Sequence, residues 1–199
     1  MAEPEENGRD ADNVAQWRDA QRFRLLQMRA DLPVADRVAA SEAVAVHLDR
    51  LLAQRCGDLS GLTISAWWPI KAELNLRHWM ERQITKGAQV ALPVVVTRAA
   101  PLIFRPWTPD CRMVQGFWKI PVPADGPDVD PDIVLAPLVG WDDAGYRLGY
   151  GGGYFDRTLA TFALRPIVIG VGLAAAHLPT IFPQPHDIAM DEIVTEGGA

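Results

Sequence analysis

Apolar positions along the chain follow helical spacing in some segments and form short continuous runs in others. Helical spacing predicts helices at Trp17–Asp31, about Asp36–Gln54, Leu74–Thr85 and Tyr154–Ala163. Apolar runs predict strands at Leu62–Trp68, Ala88–Val96, Pro101–Trp107, Asp132–Val139 and Pro166–Leu173, and a last extended segment near Ile188–Thr195. Asp110–Pro131, rich in Pro, Gly and Asp, predicts a loop. This alternation indicates an α/β fold, a single three-layer α/β/α domain around a mostly parallel sheet.

Composition narrows the class of protein. Residues 1–13 are acidic and polar and predict a disordered tail and not an export signal, which leaves 14–199 as the single domain. The net charge of -6 disfavours a nucleic-acid-binding protein, and no apolar run is long enough to cross a membrane. Cys56 and Cys111 lack metal-ligand spacing and predict reduced thiols in a cytoplasmic protein. We expect a monomer or a weak dimer.

The glycine-rich stretch after the predicted strand Asp132–Val139 carries the strongest chemical signal. It stands between that strand and a helix, and ligands of open α/β sheets bind at the carboxyl ends of strands. Its glycines let backbone N–H groups turn toward an anion, and the following helix adds a positive dipole end. The pattern is neither Walker A nor GxGxxG, and a flexible surface linker is the alternative to an anion-binding loop. The loop consists of Gly149, Tyr150, Gly151, Gly152 and Gly153.

Asp156 follows this loop in the first turn of the predicted helix. A carboxylate suits that position, but it would repel a phosphate bound beside it. A divalent cation would resolve the conflict, because Mg²⁺ is commonly held by one or two carboxylates together with substrate phosphates. Asp156 therefore predicts a magnesium–nucleotide site, with a plain helix-terminal charge as the alternative.

Three arginines of the first helix form a narrow stripe. At about 100° per residue, Arg18, Arg22 and Arg29 lie at about 0°, 40° and 20° around the helix. Like charges on one face repel unless something compensates them, and an anionic ligand would do so. Solvated surface arginines are the alternative.

Several segments resemble one family. RLGYGGGYFDR, which begins at Arg147, closely resembles the signature RLGyGgGyYDR of the 5-formyltetrahydrofolate cyclo-ligases, also called 5,10-methenyltetrahydrofolate synthetases. Phe155 replaces the commoner second tyrosine. RDAQRFRLLQMRADLP, which begins at Arg18, is similar to the family's KxxxRxxxxxxRxxLS, whose basic residues contact ATP phosphates. Arg18 stands in place of lysine, which keeps the charge but changes its geometry.

Three further segments extend the resemblance as far as Glu196. WWPIKAELNL resembles YxPxxgEvdt, which implies that Glu73 accepts paired N–H donors of the folate pterin and that Trp68 lies nearby. GFWKIPVP is similar to WgIPEP and implies that Trp118 lies along the folate. QPHDIAMDEIVTEGG resembles epHDxxxDxiiTe and implies that Asp191 is a second magnesium-linked carboxylate.

The resemblance implies ATP-dependent cyclisation of 5-formyltetrahydrofolate to 5,10-methenyltetrahydrofolate, with release of ADP and phosphate, through a phosphorylated N5-formyl intermediate. It also implies a fold like that of ribose-5-phosphate isomerase and the coenzyme A transferases. Arg147 and Tyr154 would be catalytic, and Asp156 and Asp191 would hold Mg²⁺. The ATP-binding residues would be Arg18, Arg22, Arg147, Gly149, Gly151, Gly152, Gly153 and Asp156. The folate-binding residues would be Trp68, Glu73, Trp118, Tyr150, Gly151, Gly152, Gly153 and Tyr154.

Two other functions remain open on the sequence alone. One is a non-catalytic folate- or nucleotide-binding relative, which would bind both ligands without turning over ATP. The other is a sugar-phosphate isomerase on the same fold, which would act without ATP.

Overall fold

The structure, a computed structural model, describes residues 11–198. The helices are α1 Ala11–Asp31, α2 Val34–Cys56, α3 Arg77–Thr85 and α4 Tyr154–Leu159. The strands are β1 Thr63–Ser65, β2 Gln89–Val94, β3 Ile103–Pro106, β4 Met113–Gln115, β5 Pro121–Pro123, β6 Ile133–Pro137, β7 Gly140–Trp141, β8 Arg147–Leu148, β9 Ile167–Val171 and β10 Glu192–Val194. Residues 1–10 of the predicted tail lie outside the described residues, whereas residues 11–13 form the first turn of α1. Helix α1 thus begins three residues before the end of the predicted tail.

Six strands form one sheet in the order β10-β9-β6-β1-β2-β3. All neighbours pair in parallel except β3, which runs antiparallel to β2 at one edge. The central strand β6 pairs with β1 on one side and β9 on the other, and all five of its residues are buried or half-buried. This continuous apolar run is typical of a strand that is covered on both faces of the sheet, as predicted.

Helices cover both faces of the sheet. The larger core packs the apolar sides of α1, α2 and α3 against one face, and α4 packs on the other face over Val134, Ala136 and Val168. Helix α2 buries Val44, Leu48 and Leu52, which are spaced four residues apart and so lie on one side of the helix. The predicted α/β/α layering is confirmed.

Two hairpins were not predicted. β4 and β5 pair within the segment Asp110–Pro131, for which the sequence predicts a loop. The sequence does not reveal these strands because they are short and interrupted by proline and glycine, which leaves no clear alternation of apolar and polar residues. β7 and β8 form a second hairpin between β6 and the glycine-rich loop. The hairpin returns the chain to the end of β6, so the loop still lies at the carboxyl end of this strand, as predicted.

No helix in the described range is both long and apolar enough to span a membrane. Cys56 and Cys111 are both free thiols.

Asp49 links helices α2 and α3, and its removal tests that link. One oxygen of this carboxylate accepts hydrogen bonds from Trp79 Nε1 and Gln83 Nε2, each at 2.8 Å. We expect Asp49→Ala to lower the free energy of unfolding by about 2–3 kcal/mol, because two buried donors lose their acceptor. Urea unfolding measures this. Glu42→Ala, at an exposed position of the same helix, should change stability by less than about 0.5 kcal/mol; equal effects of the two variants would refute the link.

Candidate active site

The glycine-rich loop lies beside the carboxyl end of the central strand. The backbone N–H of Val139, just after β6, donates to the carbonyl oxygen of Leu148 at 2.8 Å, which brings the residues before the loop back to the sheet. Gly151 and Gly153 then adopt φ angles of 90° and 62°, a region that favours glycine. The hairpin and these two turns place the loop at the sheet edge where α/β proteins bind ligands.

Arg147 anchors the start of the loop as a buried cation. Its guanidinium pairs with the Asp156 carboxylate at 3.0 Å and donates to the carbonyl oxygen of Ile188 at 3.1 Å. The other Asp156 oxygen accepts the Ile188 N–H at 3.0 Å. Burial lowers the pKa of Arg147, and the neighbouring carboxylates Asp156 and Asp187 oppose that shift. Both side chains thus hold the two ends of the loop against the C-terminal segment.

Two further arginines hold carbonyl oxygens of the loop. Arg22 Nε donates to the carbonyl oxygen of Gly149 at 2.9 Å, and Arg157 donates to that of Gly152. In the part of the chain that the structure describes, no acceptor takes the backbone N–H groups of residues 149–153. The loop therefore directs carbonyls to arginines and keeps its amide donors for a ligand or solvent.

Tyr150 connects the loop to the buried glutamate that the sequence predicts for folate binding. Its hydroxyl donates to Glu73 Oε1 at 2.8 Å and accepts a hydrogen bond from Arg29 Nη2. Burial raises the pKa of Tyr150, and the Glu73 charge adds to the effect. Burial also raises the pKa of the Glu73 carboxyl, while its backbone bond to Ile70 and the Arg29 charge work in the opposite direction. One hydrogen-bonded chain thus joins α1, the loop and the segment after β1.

A small recess lies at this junction. Its walls come from the carboxyl ends of β6 and β9, the segment after β1, and the inner face of α1. Most of the surface is apolar, and Arg29, Glu73 and Trp67 contribute the polar groups. The lining residues are Leu25, Met28, Arg29, Trp67, Glu73, Leu74, Pro137, Leu138, Val139, Val171, Gly172, Leu173 and Ala176. The chemistry of the recess, with apolar walls beside a buried carboxylate, matches a ring edge that carries N–H donors.

A strained turn presents Glu73 to the recess. Lys71 and Ala72 have φ angles of 46° and 59°, a region that L-residues with a side chain rarely adopt. The turn is closed by the Glu73 N–H bond to the carbonyl oxygen of Ile70 at 2.9 Å and by the Ile70 N–H bond to Glu73 Oε2 at 2.9 Å. Arg29 Nε also donates to the carbonyl oxygen of Lys71 at 3.1 Å. These hydrogen bonds offset the energetic cost of the strained backbone, and the turn holds the Glu73 carboxylate in a fixed position.

Aromatic side chains form an outer patch. Trp118 is 62% exposed and lies edge-on to Tyr154, with ring centroids 5.5 Å apart. The Tyr154 hydroxyl accepts the Ala99 N–H at 3.1 Å, and the Arg157 guanidinium lies over the Tyr154 ring. Trp118 itself has a φ of 51°, a strained conformation at the tip between β4 and β5. Trp68 has a different neighbour, with the Arg77 guanidinium 5.0 Å from its ring centroid.

The structure brings most of the predicted ligand-binding residues to the loop, but not all. Arg18 is buried and pairs with Asp187 at 2.5 Å, and it also donates to the carbonyl oxygen of Ile181 at 2.9 Å. Burial alone would raise the pKa of Asp187, but the hydrogen bond from Arg18 and further contacts outweigh it and lower this pKa. Asp191 accepts from Arg165 at 2.6 Å and from the Val168 N–H at 2.7 Å. The predicted contacts of Arg18 with ATP and of Asp191 with a metal remain predictions.

Sequence reasoning missed several residues of this site. Arg29 was placed in the arginine stripe but not at the recess, and Asp187 was not identified as the partner of Arg18. Arg157 lies in the short helix α4, only five residues after Gly152, whose carbonyl oxygen it bonds. This short separation along the chain could have identified Arg157. No local signal could have paired Arg18 with Asp187, because the two residues are 169 positions apart.

The protein is a three-layer α/β protein. Its site combines a glycine-rich loop that has free amide donors with a recess that ends in a buried carboxylate, and this combination suits an anion and a flat, hydrogen-bonding ring. The profile of the 5-formyltetrahydrofolate cyclo-ligase family matches residues 14–196. The chain belongs to that family, and the resemblance predicted from the sequence motifs is confirmed.

Individual relatives agree with this assignment. A 5-formyltetrahydrofolate cyclo-ligase of Mycolicibacterium smegmatis is 32% identical over 186 residues, which cover 87% of this chain and 91% of the relative. The enzyme of the same name from Haemophilus influenzae is 31% identical over 166 residues, with 80% and 86% covered.

Two solved structures share the fold. A 5,10-methenyltetrahydrofolate synthetase of Aquifex aeolicus has a TM-score of 0.74 at 27% identity, covering 90% of this chain and 89% of that one. The synthetase of Mycoplasma pneumoniae has a TM-score of 0.72 at 22% identity, covering 90% and 98%. The predicted fold class is thus confirmed.

The strained turn before Glu73 makes a stability prediction. Ala72→Gly should raise the free energy of unfolding by up to about 1 kcal/mol, because relief of the left-handed strain exceeds the entropy that glycine loses on folding. Chemical denaturation measures this. Ala39→Gly, at an exposed interior position of α2, should have the opposite sign and lower stability by about 1 kcal/mol. A loss of stability in both variants would show that the turn is not strained.

Proposed function

We propose that the chain catalyses the ATP-dependent cyclisation of 5-formyltetrahydrofolate to 5,10-methenyltetrahydrofolate, with release of ADP and phosphate. The observation that carries the proposal is the hydrogen bond from Tyr150 to Glu73, which couples an anion-binding loop to a buried carboxylate in a chain of this family. The two ligands of such a reaction would meet on the two sides of this bond.

The folate would enter the recess with its pterin ring toward Glu73. A carboxylate can accept two parallel N–H bonds from an aminopyrimidine edge, and the apolar walls would exclude water from the ring faces. Each Glu73 oxygen already accepts one hydrogen bond within the chain and keeps a second lone pair for the ligand. Trp68, Trp118 and Tyr154 would then border the part of the folate that leaves the recess.

ATP would place its phosphates on the glycine-rich loop. The free amide donors of residues 149–153 provide fixed partial positive charges. The Arg22 guanidinium contributes a cation from α1, which the exposed Asp19 carboxylate at 2.6 Å partly offsets. Arg147 is less exposed than Arg22, and its guanidinium is already bound by Asp156 and by the carbonyl oxygen of Ile188. Its contribution to ATP binding would therefore be indirect, because it holds the loop in place. Catalysis would rest on positioning and charge stabilisation, as is usual for phosphoryl transfer.

Mg²⁺ would accompany ATP. Within residues 11–198, no three His, Cys, Asp or Glu side chains cluster as metal ligands. Mg²⁺ is commonly held by one or two carboxylates together with substrate phosphates. Asp156 would be its protein ligand, because it follows the loop directly and a carboxylate offers about four acceptor positions, two of which are in use. The ion would offset phosphate charge. The two oxygens of Asp191 are engaged in the same way, by the Val168 N–H and Arg165, and only the family resemblance links Asp191 to the ion.

The proposed reaction conserves atoms and charge in two steps. The N5-formyl oxygen attacks the γ-phosphorus of ATP, the bond to the ADP oxygen breaks, and an iminium phosphate forms. N10 then attacks the formyl carbon and loses its proton, and the carbon–oxygen bond breaks to release phosphate. Arg22 and the loop amides would stabilise the charge on the transferred group.

We further propose a cytoplasmic location and small-molecule partners alone.

The formation of product provides a direct test of function. The methenyl product absorbs in the near ultraviolet and 5-formyltetrahydrofolate does not, so purified protein with both substrates and Mg²⁺ should develop this band and release one ADP per product. Calorimetric binding of both ligands without turnover would favour the non-catalytic alternative. Isomerisation of a pentose phosphate without ATP would favour the isomerase alternative.

Arg22 tests the proposed phosphate site. Arg22→Ala should lower kcat/KM for ATP by about ten- to hundredfold, because it removes a cation and releases the Gly149 carbonyl from its hydrogen bond. Steady-state kinetics at varied ATP measures this. Arg24→Ala removes the same charge from an exposed position of the same helix and should leave kcat/KM unchanged. Equal losses in both variants would indicate a general effect of net charge.

A further inference from the structure

We propose that Trp67 determines specificity in the folate site, with its indole N–H donating a hydrogen bond to the C4 carbonyl oxygen of the pterin ring. The inference rests on the proposed function and adds a residue to which the sequence motifs assign no role.

Trp67 lies at the recess and carries an unused donor. It stands two residues after β1, is 6% exposed, and lines the recess together with Glu73. Its Nε1 atom is buried and has no hydrogen-bond partner within the described part of the chain. Three other buried side-chain atoms there are also unpaired, on Ser65, Arg105 and Arg157, but none of those residues lines the recess.

The chain pairs the indole donor of other tryptophans. Trp79 Nε1 donates to Asp49 at 2.8 Å, and Trp141 Nε1 donates to the carbonyl oxygen of Leu173 at 3.0 Å. A buried donor without an acceptor costs about 1–3 kcal/mol, and such an atom in a native structure calls for an explanation. A ligand acceptor in the recess would satisfy the Trp67 donor.

The donor and acceptor pattern of the recess fits one edge of a pterin. Along that edge stand an amino group at C2, an N–H at N3 and a carbonyl oxygen at C4. The Glu73 carboxylate accepts from the two donors, which leaves the carbonyl oxygen in need of a donor. An indole can only donate, so Trp67 would accept this edge and reject one that carries an amino group at C4.

Trp67→Phe tests the inference, because it removes the donor and keeps an aromatic ring. Binding of 5-formyltetrahydrofolate without ATP, measured by titration calorimetry, should weaken about tenfold. The 4-amino-4-deoxy analogue of the same ligand should bind the variant as tightly as the wild type or more tightly, since the clash between two donors is gone. The Tm should stay the same or rise, because an unsatisfied buried group has been removed.

Trp79→Phe is the matched control. It makes the same substitution at an indole that is already paired, so it should lower the Tm and leave the affinity for both ligands unchanged. The inference is overturned if Trp67→Phe binds 5-formyltetrahydrofolate with wild-type affinity, or if it loses affinity for both ligands equally, which would indicate ring packing alone. Failure of the wild type to bind 5-formyltetrahydrofolate would instead overturn the proposed function, and this inference with it.

Discussion

The buried ion pair between Arg147 and Asp156 is the constraint on which the site depends. A loop of glycines has almost no side chains to hold it and a high conformational entropy to lose. The pair fixes both ends of the loop, and the Ile188 backbone bonds both partners. Removing one member of such a pair typically costs about 3–5 kcal/mol, because the other charge is left buried without compensation. The fold therefore uses a charge pair to order a segment that could not order itself.

The arginines of α1 extend this arrangement along the sheet edge. Arg18 fastens the helix to the C-terminal segment, Arg22 holds a loop carbonyl, and Arg29 bonds the hydroxyl that contacts Glu73. Their mutual repulsion on one helix face is offset by carboxylates and carbonyls of distant parts of the chain. A cationic stripe on the first helix thus assembles the site before any ligand binds, and Arg22 retains partial exposure for an anion.

Sequence reasoning predicted the fold well where signals were local and repeated. The helical spacing of Val44, Leu48 and Leu52 and the apolar run of β6 were sufficient, because burial imposes those patterns directly. It failed at β4–β5 and β7–β8, whose strands are two or three residues long and leave no periodicity. Among site residues, the motifs identified Glu73 and Tyr150 separately, but no local signal indicated that they share a hydrogen bond.

The sequence by itself determined the family, the α/β layering and the chemical types of the site: a glycine-rich loop, arginines and a carboxylate. These follow from residue identity and spacing along the chain. Only the tertiary structure decided which arginine meets which partner, because those pairs join residues up to 169 positions apart. It also showed that Arg18 and Arg147 are held by carboxylates of the chain, and that Trp67 carries an unpaired donor at the recess. Partner choice depends on distance in space and on burial, which spacing along a chain does not encode.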